Sequence, residues 1–250
     1  MGLSVQHVFL PVVLAVIAAA YAAVGQAGAT GYIAAMGIAG FTPDVIRPAA
    51  LALNTLVATI GTARFAQAGH VSWRGTYPFI LLGLPFSVLG GATHLPPAIY
   101  NPVVGLLLIV AAWRMVRSAR SDSTLDERTP PHPPLLPSII AGAVIGFVAG
   151  ITGIGGGIFI ALLVLTLHWL NARHAAGLST IFNLLNSAAA LTGLWSISLT
   201  LPPELPSWFA AVAVGAILGS WLGAKHLPPS VLRYILSALL LAGGVWLLLI

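Results

Sequence analysis

The chain of 250 residues contains no cysteine and very little charge. Without cysteine it has no disulfides, no thiolate metal ligands and no cysteine nucleophile. Charged residues make up only 6% of it and hydrophobic residues 58%, with a mean hydropathy of +1.00. A soluble domain of this size needs a mostly polar surface. The composition therefore predicts an integral membrane protein whose surface contacts the lipid bilayer.

Acidic residues are the scarcest charged type, with five Asp and Glu against ten Lys and Arg. None lies between Glu127 and Glu204, so the Gly-rich stretch in that interval lacks the downstream acidic residue of a dinucleotide-binding fold. The net charge of +5 is scattered through short loops, which favours a role in membrane orientation over a nucleic-acid partner. No paired histidine motif is present, and the sequence predicts neither a metal site nor a cofactor.

Long stretches without any charged residue dominate the chain, and one membrane-crossing helix needs only about 20 apolar residues. The charge-free stretches are 1–43, 75–113, 129–172, 174–203 and 205–224. Helices satisfy their own backbone groups in lipid, so the fold class is predicted as all-α, a polytopic membrane bundle of about eight apolar helices. Six simple helices are expected at about 48–66, 76–92, 98–116, 174–195, 208–224 and 230–250.

The chain carries an internal duplication. The letters HLPP occur at His94 and again at His226, 132 residues later, and "NTLVATIG" from Asn54 is answered by "NSAAALTG" from Asn186 at the same spacing. Such self-similarity predicts two homologous repeats. We place repeat 1 at 1–117 and repeat 2 at 137–250, joined by a polar connecting loop at 118–136.

Each repeat opens with a glycine-interrupted apolar segment, 8–40 and 137–168. Each is too long for one straight crossing, at 1.5 Å per residue and a bilayer core of about 30 Å, so it tilts, breaks or turns back. If both segments cross the membrane fully, six basic residues lie on one side and four on the other. If both segments re-enter, nine basic residues lie on one side and Arg47 alone lies on the other. Positive residues favour the cytoplasmic side, so we favour re-entrant segments, inverted repeats and a cytoplasmic 118–136 loop.

A helix broken at membrane depth exposes N–H groups and a positive dipole end that hold an anion without a full charge. Close helix packing is the alternative role of such glycines. Polar side chains inside apolar segments face a cavity or a neighbouring helix. From both features we predict substrate-binding residues at Gly28, Gly31, Gln26, Thr30, Asn54, Thr55, Thr152, Gly153, Gly155, Gly156, Gly157, Asn183, Asn186 and Ser187.

Four stretches resemble a known family. They are "GFVAGITGIGGG", its weaker copy "AAVGQAGATG", "GLSTIFNLLNSAAALTG" and "RPAALALNTLVATIGTARF", and they are similar to the TauE/SafE family, also called the toluene sulfonate uptake permease or sulfite exporter family. The resemblance implies a multi-pass permease of the bacterial inner membrane that moves sulfite, organosulfonates or related anions. The family often has a proline soon after the second glycine cluster, whereas "GIFIALLVL" has none.

The residues themselves indicate a small anion, and a carboxylate remains the alternative substrate because sulfur rests on the resemblance. Every acidic residue lies in or near a loop. The absence of an intramembrane carboxylate relay favours export or facilitated diffusion, since a cell interior negative by 100 mV expels each negative charge with about 2.3 kcal/mol. An intramembrane serine hydrolase is not expected, because "GLST" lacks the second glycine of G-x-S-G.

Overall fold

The computed structural model describes residues 5–23, 26–120, 133–170, 172–197, 201–223 and 229–249. Within these ranges the chain forms ten α-helices and no strand, which confirms the all-α prediction for them. The helices are α1 (Val5–Ala23), α2 (Ala29–Ile38), α3 (Pro43–Gln67), α4 (Trp73–Ala92), α5 (Pro97–Arg120), α6 (Leu135–Thr152), α7 (Gly157–Thr166), α8 (Ala172–Trp195), α9 (Leu205–Gly223) and α10 (Pro229–Leu249).

Ten helices replace the eight predicted apolar segments because each glycine-interrupted segment is two helices. Glycines with positive φ stand at both breaks: Gly28 with φ 93° before α2, and Gly153 and Gly156 with φ 80° and 82° between α6 and α7. Residues with a Cβ seldom adopt this conformation. The glycines therefore set where each segment breaks.

Two helix boundaries in the structure differ from the expected positions. Helix α3 begins at Pro43 rather than near residue 48, because proline suits the first helical position and Asp44 suits the positive helix start. Arg47, counted above as a loop charge, thus lies inside a helix. The connecting loop is shorter than 118–136, since α5 continues to Arg120 and α6 begins at Leu135. Residues 121–132 of that loop, and His226, lie outside the described residues.

Glycines let neighbouring helices pack backbone to backbone. Helix α6 runs parallel to α4, with Gly142 and Gly146 against the carbonyl oxygens of Phe79 and Gly83. Helix α1 runs parallel to α9 in the same way, with Gly219 against the Ala19 carbonyl. Small residues allow this approach in membrane helices. Gly150 belongs to the same packed face of α6, because it lies against the backbone of α4.

The α6–α7 segment turns back on itself. Helix α8 is parallel to α4, since the Ser87 hydroxyl donates to the Asn186 carbonyl (2.8 Å) and the α4 carbonyl of Val88 lies against Gly193 further along. Helix α7 starts beside Asn183 and ends in a cluster that joins Val164 to Ala175, near the start of α8. It therefore runs opposite to α6 and α8.

The α1–α2 segment forms a second hairpin. Helix α9 is parallel to α3, because Phe41 contacts Trp208 where both begin and Ser220 shares a cavity with Arg64 where both end. Helix α1 is parallel to α9, so it also runs with α3. Helix α2 starts beside Asn54, halfway along α3, and ends near the start of α3. The two hairpins therefore enter the bundle from opposite ends.

The outer surface of the bundle is apolar. Large side chains such as Leu81 and Leu89 on α4, Val144 on α6 and Val214 on α9 are each more than half exposed. Among the described residues, three helices are long and apolar enough to cross a membrane by length and composition: α3, α4 and α6. An exposed apolar surface of this extent suits lipid rather than water.

Candidate functional site

Two asparagines from different halves of the chain meet at the centre of the bundle. The Asn54 side-chain nitrogen on α3 donates to the Asn183 side-chain oxygen on α8 (2.9 Å) and to the Ser187 hydroxyl oxygen (2.8 Å). Asn54 and Ser187 are fully buried, and Asn183 is nearly so. Buried amides are held in place when their polar atoms are paired. The pair therefore couples α3 to α8.

Each of these amides also receives an N–H from the start of a short helix. The Ala29 N–H of α2 donates to the Asn54 side-chain oxygen (3.1 Å), and the Gly157 N–H of α7 donates to the Asn183 side-chain oxygen (3.4 Å). The N-cap residues Gly28 and Gly156 have no side chain to do this. Helix starts carry unpaired donors and a partial positive charge. Two positive helix ends thus converge on one amide pair.

The α6–α7 break completes the cluster. The Asn186 side-chain nitrogen donates to the Gly155 carbonyl (3.2 Å), and the Ser179 hydroxyl donates to the Gly157 carbonyl (2.6 Å). Gly155 has φ 82°, and a Cβ there would overlap the amide atoms of Asn54 and Asn183. Only glycine fits at this position.

Two polar atoms beside the cluster lack a hydrogen-bond partner within the described part of the chain. They are the Asn186 side-chain oxygen and the Tyr32 hydroxyl, on residues that are fully buried. The Tyr32 hydroxyl lies about 3.0 Å from where a Cβ on Gly28 would stand, over the start of α2. Buried unpaired polar atoms are rare in folded proteins. Both atoms are therefore available to a bound molecule.

Cavities lie on either side of the cluster along α3. The larger, about 200 Å³, is lined by α3 residues before Asn54, including Asp44 and Arg47. The smaller, about 30 Å³, is lined by α3 residues after Asn54, including Gly61 and Arg64, and by Gln26. Asn54 thus lies between two cavities, and the packed cluster separates them.

The structure brings some of the predicted site residues together and not others. The amide cluster contains Gly155, Gly157, Asn54, Asn183, Asn186 and Ser187, with Gly28, Gly153 and Gly156 at the helix breaks beside it. The remaining residues have other surroundings. Thr55 and Thr152 donate to carbonyls of their own helices, Thr30 bonds to the Tyr21 hydroxyl, Gly31 is buried within α2, and Gln26 lines the smaller cavity.

The two asparagines that cap α2 and α7 play the same role in the two halves, but their spacing along the chain differs from that of the sequence repeat. Asn54 caps α2 and Asn183, 129 residues later, caps α7, whereas the repeat spacing pairs Asn54 with Asn186. Helices α3 and α8 also begin 129 residues apart, at Pro43 and Ala172, while α4 and α9 begin 132 apart. The extra three residues of the second half therefore lie after the cluster.

Arg47 is a site neighbour that sequence reasoning missed. Its guanidinium is buried and donates to the carbonyls of Gly90, Gly91 and Thr93 where α4 ends, and to the Gly150 carbonyl near the end of α6. Helix ends carry unpaired carbonyls and a partial negative charge. The sequence held one indication of its importance: in the re-entrant arrangement, Arg47 is the single basic residue on its side of the membrane.

Comparison with known proteins gives the family. The model of the sulfite exporter TauE/SafE family matches residues 10–247, nearly the whole chain. The chain belongs to the TauE/SafE family. This TauE/SafE chain is 52% identical over 239 residues to "Probable membrane transporter protein y4hK" of Sinorhizobium fredii, covering 96% of this chain and 97% of that protein.

A more distant relative of this TauE/SafE chain is "Probable membrane transporter protein MJ0441" of Methanocaldococcus jannaschii, 28% identical over 206 residues, 76% of this chain and 73% of that protein. No solved structure matches. The chain is accordingly a multi-pass membrane transporter and not an enzyme. In its described part, no three His, Cys, Asp or Glu residues come together as a metal site would require.

Proposed function

We propose that the protein is a permease for a small oxyanion such as sulfite or an organosulfonate, bound where α2 and α7 begin. The observation that carries this proposal is that side-chain amide oxygens cap both helix starts, by accepting from the N–H groups of Ala29 and Gly157. An oxyanion that displaces the two amide oxygens presents its own oxygens to the same N–H donors, as anions do at helix N-termini. The Asn54 amide nitrogen, which the same displacement frees from Asn183, and the unpaired Tyr32 hydroxyl are further uncharged donors.

Uncharged donors suit a transporter, because an anion held without a full positive charge is also released. Helix dipoles and amides supply partial charges only, and the cluster itself contains no basic side chain. Arg47 and Arg64 lie at the cavities on either side, where a cation raises the local anion concentration. The same donors also suit a carboxylate. Comparing the transport of sulfite with that of acetate therefore decides the substrate class.

Removing the amide of Asn54 tests the site. We expect Asn54→Leu to lower sulfite flux in proteoliposomes at least about tenfold, because it removes a donor and leaves the Ala29 N–H without its cap, each a change of about 1–3 kcal/mol. Thr55→Val is the matched control, since Thr55 bonds only to its own helix. Unchanged sulfite flux in Asn54→Leu would remove the site assignment, and acetate carried in place of sulfite would identify a carboxylate permease.

The two hairpins entering from opposite ends support inverted repeats with re-entrant first segments. In this arrangement α3, α4 and α5, and again α8, α9 and α10, cross the bilayer. Nine of the ten basic residues then belong to the end where α3 finishes, and Arg47 belongs to the other. The positive-inside tendency makes the first end cytoplasmic, in an inner membrane of a bacterial cell.

Reporter fusions test this orientation. We expect a fusion within residues 121–132 to report the cytoplasm, and fusions before α1 and after α10 to report the periplasm, because three crossings per half place them on opposite sides. Activity of an enzyme that works only in the periplasm, and of one that works only in the cytoplasm, reads out each site. All three fusions on one side of the membrane would contradict the re-entrant arrangement.

A further inference from the structure

The side-chain oxygen of Asn186 is a buried acceptor whose direction is set by its surroundings. The amide nitrogen of the same side chain donates to the Gly155 carbonyl (3.2 Å). Exchanging the two atoms would bring two acceptor oxygens together, so the nitrogen faces Gly155 and the oxygen is left free. That oxygen has no partner among the described residues, and Asn186 is fully buried.

The nearby donors are already engaged with other groups. The Asn54 amide nitrogen donates to Asn183 and Ser187, and the Ser87 hydroxyl donates to the backbone carbonyl of Asn186 rather than to its side chain. A buried acceptor without a donor costs about 1–3 kcal/mol. A donor on a molecule bound at the site would pair with this oxygen and remove that cost.

The other groups at the site offer donors to a ligand that displaces the amide oxygens capping α2 and α7. They are the two helix-start N–H groups, the Asn54 amide nitrogen freed by the same displacement, and the Tyr32 hydroxyl. A fully deprotonated oxyanion would satisfy these but would place a lone pair against the Asn186 oxygen. An oxyanion that retains one proton satisfies both, since its O–H donates to that oxygen. Resting on the oxyanion site proposed above, we infer that the protein selects the singly protonated form of its substrate, with the substrate O–H donating to Asn186. Of the two substrates proposed there, this favours sulfite, as hydrogen sulfite, over an organosulfonate, which has no O–H.

Two anions of equal charge and shape test this selection. Methylphosphonate, at a pH below its second ionisation, and methanesulfonate both carry one negative charge, a methyl group and three oxygens, and only the first has an O–H. Each is added as a competitor of sulfite flux in proteoliposomes of the purified protein. We expect methylphosphonate to inhibit at about three- to tenfold lower concentration, the worth of one net hydrogen bond.

A substitution then assigns the preference to the acceptor. Asn186→Leu keeps the approximate volume and removes the oxygen together with the nitrogen that donates to the Gly155 carbonyl. Without the oxygen, the two competitors should inhibit this variant equally. Asn101→Leu is the matched control, because the Asn101 side-chain oxygen on α5 is also buried without a partner in the described part of the chain, and this variant should keep the preference.

The outcomes separate the inference from the proposed function. Sulfite flux with equal inhibition by the two competitors in the wild-type protein overturns the selection and leaves the oxyanion permease standing. A preference that persists in Asn186→Leu overturns the role of this residue. Sulfite flux no higher than in protein-free vesicles overturns both proposals. The wild-type comparison decides the first question whether or not the variants fold.

Discussion

Replacing Gly155 with alanine is expected to abolish transport while the protein still inserts into the membrane. The new Cβ would overlap the amide atoms of Asn54 and Asn183, so the pair that caps α2 and α7 must separate. A displacement of about 1 Å in such a constellation costs on the order of a hundredfold in rate. Anion flux is measured in proteoliposomes that contain equal amounts of wild-type and variant protein.

The matched control is Gly40→Ala, which separates the overlap from backbone strain. Gly40 has the same φ of 82° as Gly155, but nothing lies within 4 Å of where its Cβ would stand. In both variants alanine must adopt the left-handed conformation, which costs a residue with a Cβ about 1–2 kcal/mol. We expect Gly40→Ala to transport nearly as well as the wild type. Equal flux in the two variants would show that the amide cluster is not on the transport path.

Replacing Arg47 with methionine is expected to destabilise the protein strongly. The substitution keeps an unbranched side chain and removes the donors to four carbonyls, of Gly90, Gly91, Thr93 and Gly150. The Gly90 carbonyl keeps its bond from the Thr93 N–H, whereas the other three lose the donor that Arg47 supplies. Buried acceptors left unpaired cost about 1–3 kcal/mol each, so a loss of about 3 kcal/mol or more follows. At roughly 2–4 °C per kcal/mol for a chain of this size, the thermal midpoint in detergent should fall by about 6–12 °C.

Arg64→Met is the matched control for this prediction. Arg64 lies on the same helix and its side chain is exposed, and exposed charges contribute little to stability. Its thermal midpoint should stay close to that of the wild type. Arg47→Met with an unchanged midpoint would show that the hydrogen bonds from Arg47 on α3 to the ends of α4 and α6 are dispensable.

The sequence was sufficient for the parts of the fold that follow from local chemistry. Apolar stretches indicated the helices, and glycine indicated the breaks beside Gly28 and Gly153, because few other residues adopt positive φ. The amides of Asn54, Asn183 and Asn186 were recognisable as costly polar groups in apolar helices. These features depend on residue type and neighbouring positions, which the sequence displays directly.

Features that depend on distant residues could not be predicted. The Arg47 guanidinium is buried only because carbonyls 43 to 103 residues away end two helices beside it. Nor could the repeat spacing reveal that Asn183, rather than Asn186, shares the capping role of Asn54, since that depends on where α3 and α8 begin. The sequence allowed each glycine either close helix packing or a place in the binding site. Only the structure shows that Gly150 packs against α4 and that Gly155 lies in the amide cluster.

We propose that this bundle carries an oxyanion without an acidic relay, driven by the membrane potential. The decisive experiment measures sulfite flux in sealed proteoliposomes with equal pH on both sides and an imposed potential. We expect sulfite to leave the negative compartment until the ratio for a singly charged form approaches about fifty at 100 mV, the equivalent of about 2.3 kcal/mol, and Gly155→Ala to show no such flux. Sulfite flux that ignores the potential, or that equals flux through protein-free vesicles, would contradict this account.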